Sequence, residues 1–336
     1  MAIKFDLFKK QHVKFPRGQT KSWDVGILSE NKSKNRYGNL AAYDETRVKL
    51  NFQTGLGQSD YINANYVDGY KMKKTYIATQ GPKSNTLVDF WRMIWQEQVS
   101  LIVMVTNLIE NGKTKCEKYW PEERQSVCVK GLQIQSVKEE IYPDYTQRTM
   151  RLMNGDQNRL VVQMHYTQWP DHGVPFYAKS LACFMEKILE IKSDSPVVVH
   201  CSAGVGRTGT VILIDACLRM ARAEGFFNAF DMLGKIRAQR ANLVDNEANG
   251  KNLLNQHWLG INRICTMDWQ HLQAQSVVLP ERFGLHDYPA ASDKYLKLFP
   301  SQPTERNLRL INAVFVDGFK KKNKFICTHT PTQSTV

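Results

Sequence analysis

The 336-residue chain contains no C-x-x-C pair. Its cysteines (Cys116, Cys128, Cys183, Cys201, Cys217, Cys265 and Cys327) are scattered and odd in number, which excludes a disulfide framework and a zinc site. No apolar run approaches the about 20 residues of a membrane helix: the longest, SLIVMVTNLI, occupies only 100–109. The start, MAIKFDLFKKQHVKF, lacks the apolar centre of a signal peptide. A cytoplasmic chain with reduced thiols and no membrane segment is therefore expected. The formal charge of +13 suits nucleic acid, anionic surfaces or phosphorylated substrates. Yet the basic residues come in short clusters, KMKK (71–74) and KKKNK (320–324), without a long aromatic-interleaved run. No nucleic-acid partner is expected.

What is present is enough for a packed core. Hydrophobic residues make up 42% of the chain and charged ones 23%, room for one large domain or two small ones. The first 40 residues are polar and basic. Extended signals follow at DYINANYV (60–67) and TYIAT (75–79), then a helical stretch SNTLVDFWRMIWQEQ with Ser84 or Asn85 as its cap. A strand-rich run comes next, with NGD (154–156) as a hairpin turn. Residues 177–192 and 207–240 read as helices on either side of the strand PVVVH. The expected fold is α/β, a highly twisted mixed sheet flanked by helices.

One repeat is visible: INANYVDGYKMKKTYIATQGPKSNTL (62–87) aligns without gaps on INAVFVDGFKKKNKFICTHTPTQSTV (311–336), with twelve of 26 positions identical and three exchanging Tyr for Phe. The expected organisation is a domain over 1–260, an irregular linker over 261–300, and a truncated second copy over 301–336.

The stretch HCSAGVGRTG (200–209) concentrates the chemistry. A buried strand, a glycine-bearing turn and a helix start make a nest of backbone N–H groups at a positive helix end, which holds an anion. That field favours thiolate at Cys201, the nucleophilic form. Arg207 can fork two donors onto phosphate oxygens, and Gly204, Gly206 and Gly209 allow close backbone approach. C-x5-R alone is a weak pattern. With the apolar strand, His200, the glycines and Thr208, the stretch resembles the protein tyrosine phosphatase family, whose signature is H-C-x5-R-[ST]-G.

The resemblance covers about residues 15–247 and implies roles. Cys201 would be the nucleophile, with Ser202, Ala203, Gly204, Val205, Gly206 and Arg207 binding phosphate, His200 supporting the loop and Thr208 stabilising the thiolate. In WPDHGVP (169–175), Asp171 looks like the general acid on a lid punctuated by Pro170 and Gly173. In NKSKNRYGNL (31–40), Tyr37 would stack on the substrate ring and Asn39 bind the peptide backbone, giving a cleft deep enough for phosphotyrosine. That depth argues against dual-specificity or RNA phosphatase activity. In IENGKTKCEKYWP (109–121), Glu110 would pair with Arg207 and Lys115 reach toward the lid. The motifs YDETRVKL (43–50), YIATQGP (76–82) and DFWRMIW (89–95) imply packing, with no chemistry for Trp91 or Trp95. No metal or cofactor is implied, and the partners would be phosphotyrosine-containing proteins or peptides.

The pattern breaks after KIRAQR. Where the family carries two water-positioning glutamines, this chain has Asp245 and Asn249. A carboxylate there adds negative charge beside a phosphoryl group. Two expectations follow: a working phosphatase of receptor-type tandem ancestry, or a phosphotyrosine-binding module that captures substrate without turnover. The helix that normally follows is unrecognisable beyond Gly250, and two outcomes stay open for 254–273: a substitute helix on its apolar stripe, or disorder.

Overall fold

A computed structural model describes residues 18–51, 59–170, 178–224 and 227–244. The chain divides into two units, Met1–Leu272 with Pro331–Val336 and Gln273–Thr330; all described residues lie in the first. The expected linker (261–300), second copy (301–336) and substitute helix (254–273) lie outside the described residues.

Among the described residues nine strands form one mixed sheet: β1 (Arg47–Lys49), β2 (Tyr61–Val67), β3 (Tyr76–Thr79), β4 (Leu101–Met104), β7 (Ser126–Val129), β8 (Leu132–Ile141), β9 (Tyr145–Asn154), β10 (Gln157–Tyr166) and β11 (Val197–His200). Their spatial order is β1-β2-β3-β11-β4-β10-β9-β8-β7, and a separate hairpin joins β5 (Ile109–Glu110) to β6 (Lys113–Thr114). The sheet's pattern explains its sequence. β11 runs parallel to both β3 and β4, and β4 parallel to β10. Parallel strands covered on both faces read as unbroken apolar runs, here VVV and LIVM, all buried. The antiparallel strands β8 and β9 alternate instead, as a half-solvated sheet requires. Between β9 and β10 the two-residue turn Gly155–Asp156 falls where the sequence placed it, with Gly155 at φ 57°.

Helices cover both faces. α1 (Asp24–Ile27) and α2 (Ser29–Lys32) are short and lead toward Tyr37; α3 (Leu87–Gln96) packs on one face; α4 (Ala178–Glu190), α5 (Gly206–Glu224) and α6 (Ala229–Arg237) pack on the other. β11 feeds both cores: Val197 and Val199 join the α4–α5–α6 cluster and Val198 the α3 cluster. α5 is buried around its circumference, with Val211, Ile212, Leu213 and Ile214 all at most 2% exposed. Burying four such side chains contributes on the order of 6–12 kcal/mol, well above the roughly 0.5–1 kcal/mol that an interior glycine such as Gly209 costs. Packing, not propensity, holds this helix.

The expected cap at Ser84 or Asn85 is corrected. Ser84–Thr86 form a separate 3₁₀ turn, and Thr86 precedes α3. The Thr86 hydroxyl accepts the Lys83 N–H at 2.9 Å, and Asn85 Nδ2 reaches out to the Ser33 carbonyl at 3.1 Å. The helical span 207–240 is likewise two helices, α5 and α6, and Asn228 caps the second through the Asp231 N–H. No helix among the described residues is long and apolar enough to cross a membrane.

Candidate active site

At the carboxyl end of β11, in the middle of the sheet, the chain turns through Cys201–Val205 into α5. Each carbonyl of this turn meets a donor from outside it. The Cys201 carbonyl faces His200 Nδ1 (3.2 Å) and that of Ser202 takes the Gly81 N–H (2.9 Å). Those of Ala203 and Gly204 take the Arg240 guanidinium (3.3 and 2.8 Å), and that of Val205 takes the Val244 N–H (3.1 Å). In a trans peptide the N–H points opposite to the carbonyl. The N–H groups from 202 to 206 therefore face inward, as a nest. The Gly204 N–H does so visibly, 3.3 Å from Cys201 Sγ. Gly204 sits at φ 70°, and a Cβ there would fall 2.2 Å from the Thr79 carbonyl oxygen, so only glycine fits.

Arg207 lies in the first turn of α5. Its Nη1 and Nη2 donate to Glu110 Oε1 and Oε2 at 2.6 and 2.9 Å, with further contacts to the carbonyls of Val105 and Pro170 (both 3.3 Å). Glu110 is brought there by local chemistry: Asn111 and Gly112, at φ 49° and 71°, make the tight β5–β6 turn, leaving Ile109 in solvent and Glu110 buried. The Thr106 hydroxyl and Asn107 N–H also bind Glu110 Oε1 (3.1 and 3.0 Å). A buried two-point pair of this kind fixes the guanidinium plane.

The segment 31–40 meets the loop directly, with the Tyr37 hydroxyl 3.0 Å from Ser202 Oγ. Asn39 is exposed nearby in sequence. Around Tyr37 the basic residues are anchors. Lys34 pairs with buried Asp89 (2.8 Å), and Arg36 binds the carbonyls of Gly81 and Pro82 (3.1 and 2.7 Å). Gln80 holds the segment from both sides, accepting the Arg36 N–H (2.8 Å) and donating to the Lys34 carbonyl (2.7 Å).

His200 is fully buried, its Nε2 2.9 Å from the Tyr119 hydroxyl, and burial pushes its pKa down to about 3. It is a neutral ring. Thr208 is fully buried, with no hydrogen-bond partner for its hydroxyl among the described residues. Lys115 follows β6, its N–H on the Leu108 carbonyl (2.8 Å). Asp171, Asp245 and Asn249 lie outside the described residues. Their approaches do not: Pro170 touches Arg207, and Val244, at φ 66°, is bonded to the loop.

Sequence reasoning missed Arg240. It is buried under the loop, also donating to Asn65 Oδ1 and Asn63 Oδ1 (2.8 and 2.9 Å), and burial lowers its pKa to about 10, which leaves it charged at neutral pH. It adds positive charge beneath the nest. A basic residue three positions after Arg237 in KIRAQR was the available signal. Trp91 and Trp95 serve packing: Trp91 Nε1 donates to the Tyr119 carbonyl (3.0 Å), and Arg159 lies over the Trp95 ring.

An inward N–H nest, a thiol on its floor and an arginine clamped by a buried carboxylate make a site suited to a phosphoryl-sized anion beside the Cys201 sulfur. Residues 31–253 match the family described as protein-tyrosine phosphatase. The chain is 47% identical over 246 residues to receptor-type tyrosine-protein phosphatase zeta of Rattus norvegicus, covering 67% of this chain and 10% of the relative. It is 33% identical over 371 residues to tyrosine-protein phosphatase Lar-like of Caenorhabditis elegans (98% and 17%), and 36% over 347 residues to tyrosine-protein phosphatase 99A of Drosophila melanogaster (91% and 26%). The chain belongs to the protein-tyrosine phosphatase family. It spans from a tenth to about a quarter of the length of these curated relatives.

Proposed function

We propose that the chain hydrolyses phosphotyrosine in proteins through a phosphocysteine intermediate. The outward-bonded carbonyls of 201–205 carry this reading, because they commit the opposite face of the loop to an anion above Cys201. The substrate ring descends beside Tyr37, whose hydroxyl ties the recognition segment to the loop, while Asn39 holds the peptide backbone. Cys201 Sγ attacks phosphorus; the S–P bond forms as the P–O bond to the phenol breaks. The inward N–H groups and Arg207 hold the equatorial oxygens, where charge develops. Asp171 protonates the leaving phenolate, and Lys115 holds the lid on which it sits. Thr208, whose buried hydroxyl lacks a partner among the described residues, donates to the thiolate when it is released.

Water then cleaves the S–P bond, with Asp171 as base, and inorganic phosphate leaves. Asp245 and Asn249 stand where glutamines position that water, so the second step is the slower one. The same two residues favour a second reading, a module that traps phosphotyrosyl proteins. The chain works in the cytoplasm, as an intracellular part of receptor-type ancestry, with a partial second copy at 301–336. The internal alignment of 62–87 on 311–336 supports the second copy.

A rapid-mixing time course with a phosphotyrosyl peptide, following phenol and phosphate separately, tests the proposal, with Cys201→Ser as control. Steady release of both products is expected, with phosphate lagging. One equivalent of phenol without phosphate identifies the trap, and no phenol overturns both chemical steps.

A further inference from the structure

We infer that Arg148, which touches no reacting atom in the proposed mechanism, is a positioning residue that sets the polarity of a hydrogen-bonded chain ending on Cys201 and also holds the His165 ring, whose far nitrogen meets Thr106 beside the Glu110–Arg207 pair. Its effect on turnover rests on the phosphatase reading; the connections are geometric. Arg148 lies on β9, its guanidinium carbon 4.6 Å from the Trp120 ring centre. Nε and Nη2 donate to Glu139 at 2.9 and 3.3 Å. Nη1 donates to Gln163 Oε1 (3.0 Å) and His165 Nδ1 (3.3 Å), which uses both of its hydrogens.

A guanidinium can only donate. Gln163, fully buried, must present its oxygen to Arg148 and therefore its amide nitrogen to the Tyr119 hydroxyl (2.7 Å). That hydroxyl then gives its single proton to His200 Nε2 (2.9 Å). His200 carries its own proton on Nδ1 and donates to the Cys201 carbonyl (3.2 Å). On its other side Arg148 fixes the His165 ring rather than a continuous chain, and Thr106 links that ring to Glu110 through its own covalent frame. His165 accepts at Nδ1 and donates from Nε2 to the Thr106 carbonyl (2.9 Å); the Thr106 hydroxyl donates to Glu110, which grips Arg207.

Remove the donor at 148 and the chain to Cys201 gains a rival arrangement. The Gln163 amide can turn over, and its oxygen then competes with His200 Nε2 for the Tyr119 proton. If Gln163 wins, His200 must donate from Nε2, leaving an Nδ1 lone pair against the Cys201 carbonyl. The loop carbonyl loses its donor, and with it the fixed direction of the next N–H. At the same time His165 loses its partner at Nδ1. One buried cation thus suppresses a degeneracy that glutamine and neutral imidazole would otherwise allow.

The test compares the full-length chain with Arg148→Met, which keeps the bulk and loses the donors, and Arg148→Lys, which keeps a donor. Long-range ¹⁵N spectra of the histidine rings at pH 6.5 are expected to show His200 protonated on Nδ1 and His165 on Nε2. In R148M a second His200 tautomer is expected, with the phenol burst about ten- to a hundredfold slower and KM changed less than about twofold. R148K should recover most of the rate and the single tautomer. A folded R148M with unchanged tautomers and an unchanged burst overturns the inference. Should R148M not fold, Tyr119→Phe removes the middle proton while leaving Arg148 on Glu139 and Trp120. It is expected to shift the His200 tautomer and slow the burst, and no change in either overturns the inference. A wild-type chain with no burst at all refutes the phosphatase reading, and the tautomers still decide the role of Arg148.

Discussion

Lowering the pH from 7 to 5 should destabilise the protein through two rings that the fold keeps neutral. Burial pushes His200 down to about 3 and His165 to about 4, from an ordinary 6.5; the nearby Arg148 charge adds to the second shift. Both folded values lie below the unfolded one, so between pH 6.5 and about 4 the unfolded chain binds protons that the native chain refuses. The stability they contribute is present above pH 6.5 and is lost as the pH falls through that window. At pH 5 each ring is about 1.5 pH units below its unfolded pKa, a loss of roughly 2 kcal/mol per ring and roughly 4 kcal/mol for the pair. Against a total of about 5–15 kcal/mol this is a large share, and ordinary carboxylates titrate lower. Urea unfolding followed by tryptophan fluorescence should show the midpoint falling by more than about 1 M from pH 7 to pH 5, taking a slope of about 3 kcal/mol per M. His165→Asn should remove about half of that pH dependence. A midpoint that stays level across the window would refute the burial of two neutral imidazoles.

Gly209→Ala, normally a helix-stabilising change, should cost about 2–4 kcal/mol, because its Cβ would meet the Val244 nitrogen at 2.3 Å and the Leu243 carbonyl carbon at 2.8 Å; thermal unfolding decides. Tyr37→Phe removes the bond to Ser202, about 1 kcal/mol, and should raise KM for a phosphotyrosyl peptide about fivefold with kcat little changed. Arg240→Met strips the donors from two loop carbonyls and should weaken inorganic phosphate binding at least about tenfold, read by competition, with a stability loss of about 3–5 kcal/mol. Asp245→Gln should speed phosphate release while leaving the phenol burst unchanged; a slower burst would place residue 245 in the first step instead.

The central strand, the anion loop and its helix were legible because their signals are contiguous: an apolar run, glycines and a Cys-to-Arg spacing within one turn of chain. Glu110 and Tyr37 came only from resemblance, and the structure brings both to the loop across 97 and 165 residues of sequence. Arg240 and Gln80 were not legible as site residues, since each acts on backbone carbonyls or amides of the loop or its neighbour, groups that every residue carries. Arg148 was not legible because its partners Glu139, Gln163 and His165 meet it only across neighbouring strands of the sheet. The cap at Ser84 or Asn85 failed for a related reason. Two adjacent polar residues suit a helix start equally well, and the 3₁₀ turn that absorbs them is set by Lys83 and Thr86.

Val244 works as a mechanical anchor at the edge of the loop. Its N–H is bonded to Val205, its backbone rests where Gly209 has no side chain, and its φ of 66° is one a β-branched residue adopts only under constraint. Residue 244 is therefore held at a fixed address beside the loop by backbone contacts. Under the proposed mechanism a single codon change at 245 can retune how long the phosphoryl group stays on sulfur, from a short-lived adduct to a lasting one, without disturbing how the substrate is captured. In that mechanism residence time and recognition rest on different residues.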